Sequence, residues 1–549
     1  MRTRNSVLNF ISTYGFYLIR VVFELYKVKL FLQVLGQDVH ALNQLYSNVF
    51  KYLSIIEGGI GLACVYKLYR PLAEKDYDQV NIYFSTLKRT FSRIGTIILI
   101  GGVGVVFVLP YLIHDNPFSF GLLVLTFFTF IFRNIVDYFM YAPRFVITAD
   151  HKQYKINIYN NGMDVVEEAV QVAALLLLRQ YAVAHGLTDP SSYMMLYWIY
   201  LIPAIIIRIV QNILINRKVY QLYPWLHVVP ETDKSIRADV EHLLVIKIVN
   251  LIHNNDDIIL LSTFAGSFYV TMYGFYNYVN TFCDDSISFV YKAMKNGIGN
   301  VTVVDTKEKV LEEMAKIRTI YSYISVVLVV ILWFATNPFI AIWSGDVKYV
   351  VNDVTLVMIL ACIYSKIMNN EAKMLVEVYG LFAEVKWYLV ASAAINWIVS
   401  IILVLVLPND YKIAGVLFGT VLGDFGLQLW AYSYIGYKHL TGGYSFEYVA
   451  HNFKNAVIIL GVILGVSLLH VDRWIVPDNY LHWFLYACVN SLICVALISV
   501  LFYAMFNSTF IPVLKQLWKA NKQVADMRRQ RHAKETGQKD DGEKKEGGD

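Results

Sequence analysis

Residues 6–34 read SVLNFISTYGFYLIRVVFELYKVKLFLQV, a run of about 29 residues that is apolar except for a few positions, with Arg20 and Glu24 inside it. A bilayer core needs roughly 20 helical residues, so the run is long enough to cross with some tilt. A charge near the bilayer centre costs roughly 2.5–3.5 kcal/mol on insertion scales, and such residues face a bundle interior or a watery cavity rather than lipid. This stretch is therefore a membrane helix that needs polar company. Its pattern recurs along the chain: Glu57, Glu168, Asp285 and Asp424 also fall near the middle of long apolar runs.

Hydrophobic residues make up 57% of the 549 positions and charged ones 16%, with a mean hydropathy of +0.48. A soluble domain could not hide so much apolar surface, whereas a bilayer accepts it. The five cysteines (Cys64, Cys283, Cys362, Cys488 and Cys494) lie in apolar runs without CxxC spacing, which predicts core packing rather than disulfides or a metal site. The first run lacks a small-x-small cleavage site and contains charges, so it is expected to remain as the first membrane helix.

Fourteen spans are expected: 6–34, 44–70, 93–113, 119–142, 156–183, 193–216, 240–264, 268–298, 317–343, 353–380, 388–407, 412–435, 454–470 and 480–506. Alternate connections differ in charge. One set holds Arg2 and Arg4, Lys88 and Arg89, Lys152 and Lys155, Arg217 and Lys218, Lys307 and Lys309, and the tail. The other set (35–43, 114–118, 184–192, 265–267, 344–352, 408–411 and 471–479) holds only Lys348 and Arg473. The positive-inside rule puts the basic set and both termini in the cytoplasm. Past Val524 the hydrophobic pattern stops; a basic run, Met527 to His532, suits anionic lipid headgroups, and the Lys/Glu/Asp/Gly end reads as disordered.

Gly36, Tyr46 and Val49 correspond to Gly266, Tyr276 and Val279 at an offset of about 230 residues. Even span numbers per half imply parallel repeats about an axis along the membrane normal, the plan of a two-lobe transporter. The expected organisation is a six-helix lobe over 1–237, a second over 238–440, a helix pair within 441–510, and a tail over 511–549.

The charged positions supply the candidate site. Arg20 with Glu24, and Arg133 with Asp137, are four apart and can neutralise each other within one helix. Arg20 can also grip a phosphate bidentately. Asp164, Glu167 and Glu168 crowd one face of the fifth span; three carboxylates so close should not all ionise in low dielectric. They are expected either to bind a coupling H+ or Na+ or to pair with neighbouring bases. The seventh span carries Lys247 and the polar run His253 to Asp257, and the eighth carries Asp284, Asp285, Lys292 and Lys295. Lys366, Glu371, Lys373, Glu377 and Glu384 gather around the tenth and are expected to snorkel or pair.

The sequence has no GxxxxGK[ST] phosphate loop and no HExxH. No cofactor or metal is expected, and transport rather than enzymatic chemistry is the reading. Outer connections are too short for a catalytic domain, which counts against a membrane polymerase or ligase.

Several local patterns occur in an order that resembles polysaccharide flippases of the Wzx type. They are Leu35-Gly36; Ile55-Ile-Glu-Gly-Gly-Ile-Gly61; Tyr69-Arg-Pro-Leu-Ala-Glu-Lys-Asp76; and Ala149-Asp-His-Lys-Gln-Tyr154. Then come Asn254-Asn-Asp-Asp-Ile-Ile-Leu-Leu-Ser262, Ile298-Gly-Asn300, Asn337-Pro-Phe-Ile-Ala-Ile-Trp343 before Ser344-Gly, Tyr379-Gly-Leu-Phe382, and Ala414-Gly-Val-Leu-Phe-Gly-Thr420. The resemblance spans residues 1–510 and places the chain near the multidrug/oligosaccharidyl-lipid/polysaccharide (MOP) exporter superfamily. It implies an all-α, MATE-like membrane protein: two six-helix lobes in a V plus a C-terminal pair associated with a lipid tail. The implied cargo is a polyprenyl-diphosphate-linked oligosaccharide, flipped from the inner to the outer leaflet of a bacterial plasma membrane. Arg20 matches the first-helix arginine that contributes to pyrophosphate binding in similar lipid II flippases.

The expected substrate-binding set is Arg20, Glu24, Glu57, Arg133, Asp137, Arg208, Lys247, Asp257 and Lys292, with Asp164, Glu167 and Glu168 for ion coupling. Expected partners are the lipid-linked oligosaccharide, membrane lipids, and a polysaccharide polymerase or other assembly proteins. A cation-coupled multidrug exporter of the same superfamily and a membrane polysaccharide polymerase or ligase stand as alternatives.

Overall fold

The computed structural model describes residues 2–54, 60–150, 152–187, 190–233, 256–304, 306–442 and 447–515. Glu57, Lys247, His253 to Asn255 and the basic tail lie outside these residues. The described chain is helical throughout its ordered elements, as its hydropathy pattern predicts.

The helices are α1 (Arg2–Leu53), α2 (Ile60–Glu74), α3 (Tyr77–Val108), α4 (Phe120–Met140), α5 (Ala142–Ala149), α6 (Tyr154–His185), α7 (Pro190–Leu222), α8 (Ser267–Val304), α9 (Lys307–Ser344), α10 (Asp353–Tyr379), α11 (Phe382–Val406), α12 (Lys412–Gly423), α13 (Leu429–Thr441), α14 (Glu447–Ser467), α15 (Val471–Trp474) and α16 (Tyr480–Met505). A further helical stretch covers 256–264, and a π turn, Asp424–Gln428, joins α12 to α13.

Eight described helices are long and apolar enough to cross a membrane. They carry the expected spans 3, 4, 6, 9 and 11 to 14. The other long helices, α1, α6, α8 and α10, hold most of the ionisable residues singled out above, and their polar faces lower their hydropathy. The protein is multi-pass.

The expected connection 35–43 is shorter than the hydropathy suggests: two helices within Arg2–Leu53 meet at Gly36, whose φ of 81° and ψ of 172° are not helical. That conformation is almost restricted to glycine. Its repeat counterpart, Gly266, also has a positive φ, 102°. The tyrosines ten residues on are both fully buried and both bond to backbone near the start of a later helix of their own half. The Tyr46 hydroxyl donates to Leu123 O (3.2 Å), and the Tyr276 hydroxyl accepts from Val351 N (3.0 Å). The two stretches thus use one local device twice.

The described residues fall into two compact units. One lies within Met1–Thr281, Phe339–Cys362 and Phe382–Gln428; the other lies within Phe282–Pro338, Ile363–Leu381 and Leu429–Asp549. In the first, α1 packs along α6, α6 along α7, and α3 along α4 around an apolar core that includes Phe31, Leu45, Phe84, Phe127, Leu175 and Ile215. Four of the connections of low basic charge meet at one end of this unit. His114 N donates to Ser262 O (2.9 Å), Asn352 Nδ2 to Asp410 O (2.7 Å) and Lys412 Nζ to Phe264 O (3.3 Å). Towards the other end of the long α3, Arg89 Nη2 donates to Val229 O (2.7 Å).

Within the same unit, α11 and α12 cross closely because Gly415 and Gly419 present no side chain. A Cβ on Gly419 would lie 2.6 Å from Asn396 O and 2.9 Å from Ser400 N. This is the small-xxx-small packing by which membrane helices approach without help from a hydrophobic driving force.

In the second unit, Ile458, Val462 and Val466 of α14 and Cys494, Ile498 and Phe502 of α16 form four-residue-spaced stripes that close on Val326 and Val330 of α9. Polar bonds tie the pair down: Asn455 Nδ2 donates to Ser322 Oγ (3.0 Å), and Trp483 Nε1 to Ala335 O (2.9 Å). Deeper in this unit Arg318 meets Glu371 (3.3 Å), stacks on Tyr437 at 4.7 Å, and shares Glu371 with the Tyr437 hydroxyl. Lys366 pairs with Asp284 at 3.1 Å, and Lys295 with Glu377.

Candidate functional site

Arg20, Glu24 and Lys27 recur at helical spacing on α1. Arg20 sits 3.8 Å from Glu24, with 41% of its side chain exposed, so this within-helix pair forms and is only partly buried. One turn on, Lys27 reaches α6, where Glu168 lies 2.6 Å and Gln171 Oε1 3.1 Å from its ammonium. The Tyr200 hydroxyl of α7 donates to the same Gln171 oxygen at 3.2 Å.

The three clustered carboxylates of α6 do not crowd one another's charge, because each meets a base on a different helix. Glu168 takes Lys27 of α1, Glu167 takes Arg133 of α4, and Asp164 takes Arg208 of α7 at 3.4 Å. Of the two readings of this cluster, the arrangement matches pairing with neighbouring bases. Arg133 and Asp137 likewise look outward from α4 rather than to each other. Arg133 Nε donates to Glu167 Oε1 at 2.8 Å, while Asp137 accepts from Asn212 Nδ2 at 2.8 Å and faces Arg208 Nε at 3.8 Å. Helical spacing shows only that two residues share a face; neighbouring helices supply better-placed partners.

Arg144 of α5 joins the network, donating to Asn160 Oδ1 and Asn212 Oδ1 at 2.9 Å each and stacking on Tyr141 at 4.5 Å. Arg20, Lys27, Arg133, Arg144 and Arg208 thus stand against Glu24, Asp137, Asp164, Glu167 and Glu168, and the formal charges balance. Lys27 and Arg144, which sequence reasoning passed over, complete that balance. The signal for Lys27 was its position seven after Arg20.

Asp257 lies elsewhere in the same unit, in a second polar cluster. Its carboxylate accepts from the Tyr273 hydroxyl (2.7 Å) and Thr420 Oγ1 (3.4 Å). Beside it Asp256, fully buried, accepts from Asn396 Nδ2 at 3.2 Å and keeps a buried Oδ1 with no hydrogen-bond partner. Asn396 Oδ1 accepts in turn from Ser400 and Thr420 at 3.0 and 3.2 Å. Adjacent buried carboxylates among amide and hydroxyl oxygens are the donor chemistry of a shared proton or a small hard cation. Among the described residues no group of three or more His, Cys, Asp or Glu converges. Lys292 is exposed on α8 in the second unit. Glu57 and Lys247 lie outside the described residues.

No protein-family model and no curated protein matches this chain. Among solved structures it is similar to the lipid II flippase MurJ in an inward closed conformation, with a TM-score of 0.58 and 13% identity over 91% of this chain and 99% of that one. It is also similar to an inward-facing multidrug resistance MATE family transporter of the MOP superfamily, with a TM-score of 0.52 and 11% identity over 77% of this chain and 95% of that one. The chain has the MurJ/MATE fold. At such identities the likeness carries architecture, and the chemistry of the MurJ/MATE-fold interior has to be read from the residues above.

Proposed function

We propose that this protein is a flippase of the MOP superfamily, close to the Wzx type, which moves a polyprenyl-diphosphate-linked oligosaccharide from the inner to the outer leaflet by alternating access. The observation that carries the reading is Arg20: a part-exposed guanidinium on α1, where the first membrane span is expected, held only loosely by Glu24 at 3.8 Å. The other bases of the network are taken up by closer carboxylates or amides. A guanidinium with spare donors suits a diphosphate, whose charges cannot enter hydrocarbon unaccompanied. The surrounding polar groups replace water for the sugars, while the prenyl chain stays in lipid.

The buried Asp256/Asp257 cluster suits ion coupling better than the α6 carboxylates, which are neutralised in place. The protein would sit in a bacterial plasma membrane with both termini cytoplasmic, and hand its cargo unchanged to an outer-leaflet polymerase or ligase. In proteoliposomes loaded with fluorescent polyprenyl-diphosphate oligosaccharide, the wild type should expose label to a membrane-impermeant quencher, and Arg20→Ala should not, at equal protein abundance. Full flipping by Arg20→Ala would remove Arg20 from the site. Lack of flipping by the wild type, with export of ethidium instead, would favour a cation-coupled exporter.

A further inference from the structure

A cavity of about 340 Å³ opens in the first unit between α3, α4 and α5, lined by Phe91, Asp137, Tyr138, Tyr141 and Phe145. Its size is that of a small-molecule site. Four of its walls are aromatic rings fixed by mutual packing. Phe145 lies 5.1 Å from Phe91 and 5.2 Å from Tyr141, and Phe91 stacks with Tyr138 at 6.1 Å. Two glycines let the rings seat closely: a Cβ on Gly61 would come within 2.6 Å of Phe145, and one on Gly95 within 3.0 Å of Tyr138.

The fifth wall, Asp137, is the one charged group, and its charge is already answered. Asn212 donates to one oxygen, and Arg208 faces the other. Arg144 stands behind Tyr141 and keeps a buried Nε–H without an acceptor. A carboxylate has about four lone-pair sites, so Asp137 can still accept hydrogen bonds, but it offers no uncompensated charge. That combination disfavours an ammonium, which would want net negative charge, and equally a phosphate. It suits a neutral ring with apolar faces and a rim of hydroxyls.

We infer that this cavity receives a pyranose ring of the cargo, with its C–H faces against Tyr138, Tyr141 and Phe145 and its hydroxyls donating to Asp137. This rests on the flippase reading and adds where the glycan is recognised, apart from the diphosphate grip at Arg20. The aromatic walls supply contact area at low entropic cost, and the carboxylate orients the hydroxyls.

The test measures binding of three probes to the full-length protein in nanodiscs: polyprenyl diphosphate alone, the same lipid carrying one glucose, galactose or N-acetylglucosamine, and ethidium. At least one sugar-bearing lipid should bind about tenfold more tightly than the bare diphosphate. Phe145→Leu should erase that preference and leave the affinity for bare diphosphate within twofold; Phe145→Tyr should keep the preference. Equal binding of all lipids by the wild type, or an equal loss for both lipids in Phe145→Leu, overturns the assignment while leaving the flippase reading standing. Ethidium binding that depends on Phe145 overturns it in favour of a cation cage. If the wild type binds no diphosphate lipid, the flippase reading itself fails, and the sugar assignment falls with it.

Discussion

Breaking the Arg133–Glu167 pair tests whether the charged network of the first unit is scaffold or transport machinery. Arg133 donates from two nitrogens to one Glu167 oxygen, and the side chains keep 23% and 5% of their surface exposed. Removing one partner of a buried pair costs about 3–5 kcal/mol, because the other charge is left without compensation. The residual exposure of Arg133, and Asn134 Oδ1 at 3.3 Å from its Nη1, put Glu167→Gln at the low end, about 3 kcal/mol. That is roughly a hundredfold in the folding equilibrium. Replacing both residues by leucine removes the need for compensation and should recover most of the loss. Denaturant unfolding of the wild type, Arg133→Leu, Glu167→Leu and the double leucine variant in detergent micelles would give the four corners of the double-mutant cycle, with a coupling of about 2 kcal/mol or more expected. Flipping by the double leucine variant should survive if the pair is scaffold. Costs that simply add would refute the pairing argument, and a stable double variant that cannot flip would make the pair part of the mechanism.

Coupling should follow Asp257 rather than the α6 carboxylates: Asp257→Asn should abolish dependence of flipping on a proton or sodium gradient, whereas Glu168→Gln should lower stability and keep the dependence, both read in proteoliposomes with imposed gradients. Gly419→Leu should prevent the close α11–α12 crossing and remove folded protein from size-exclusion profiles, since its side chain would run into Asn396 O and the Ser400 backbone. Gly36→Ala should cost about 1–3 kcal/mol by forcing a side chain into a conformation kept for glycine, measurable as a lower denaturation midpoint.

The membrane class and the all-helical architecture were legible in the sequence, because each rests on hydropathy and charge that need no third dimension. Insertion into lipid imposes helices almost irrespective of what packs on what, and Gly36 with Gly266 marks its own backbone requirement. Partner choice was not legible. Asp164, Glu167 and Glu168 look alike as a cluster, yet α1, α4 and α7 each supply one base, and Lys27 and Arg144 turn an apparently acidic span into a neutral network. The Asp256/Asp257 cluster depends on Asn396 and Thr420, more than a hundred residues further along the chain. Spacing along one helix fixes which residues share a face, but only the packing of several helices decides which charge meets which, because electrostatic and hydrogen-bond energies fall off over a few ångströms of real space and take no account of distance along the chain.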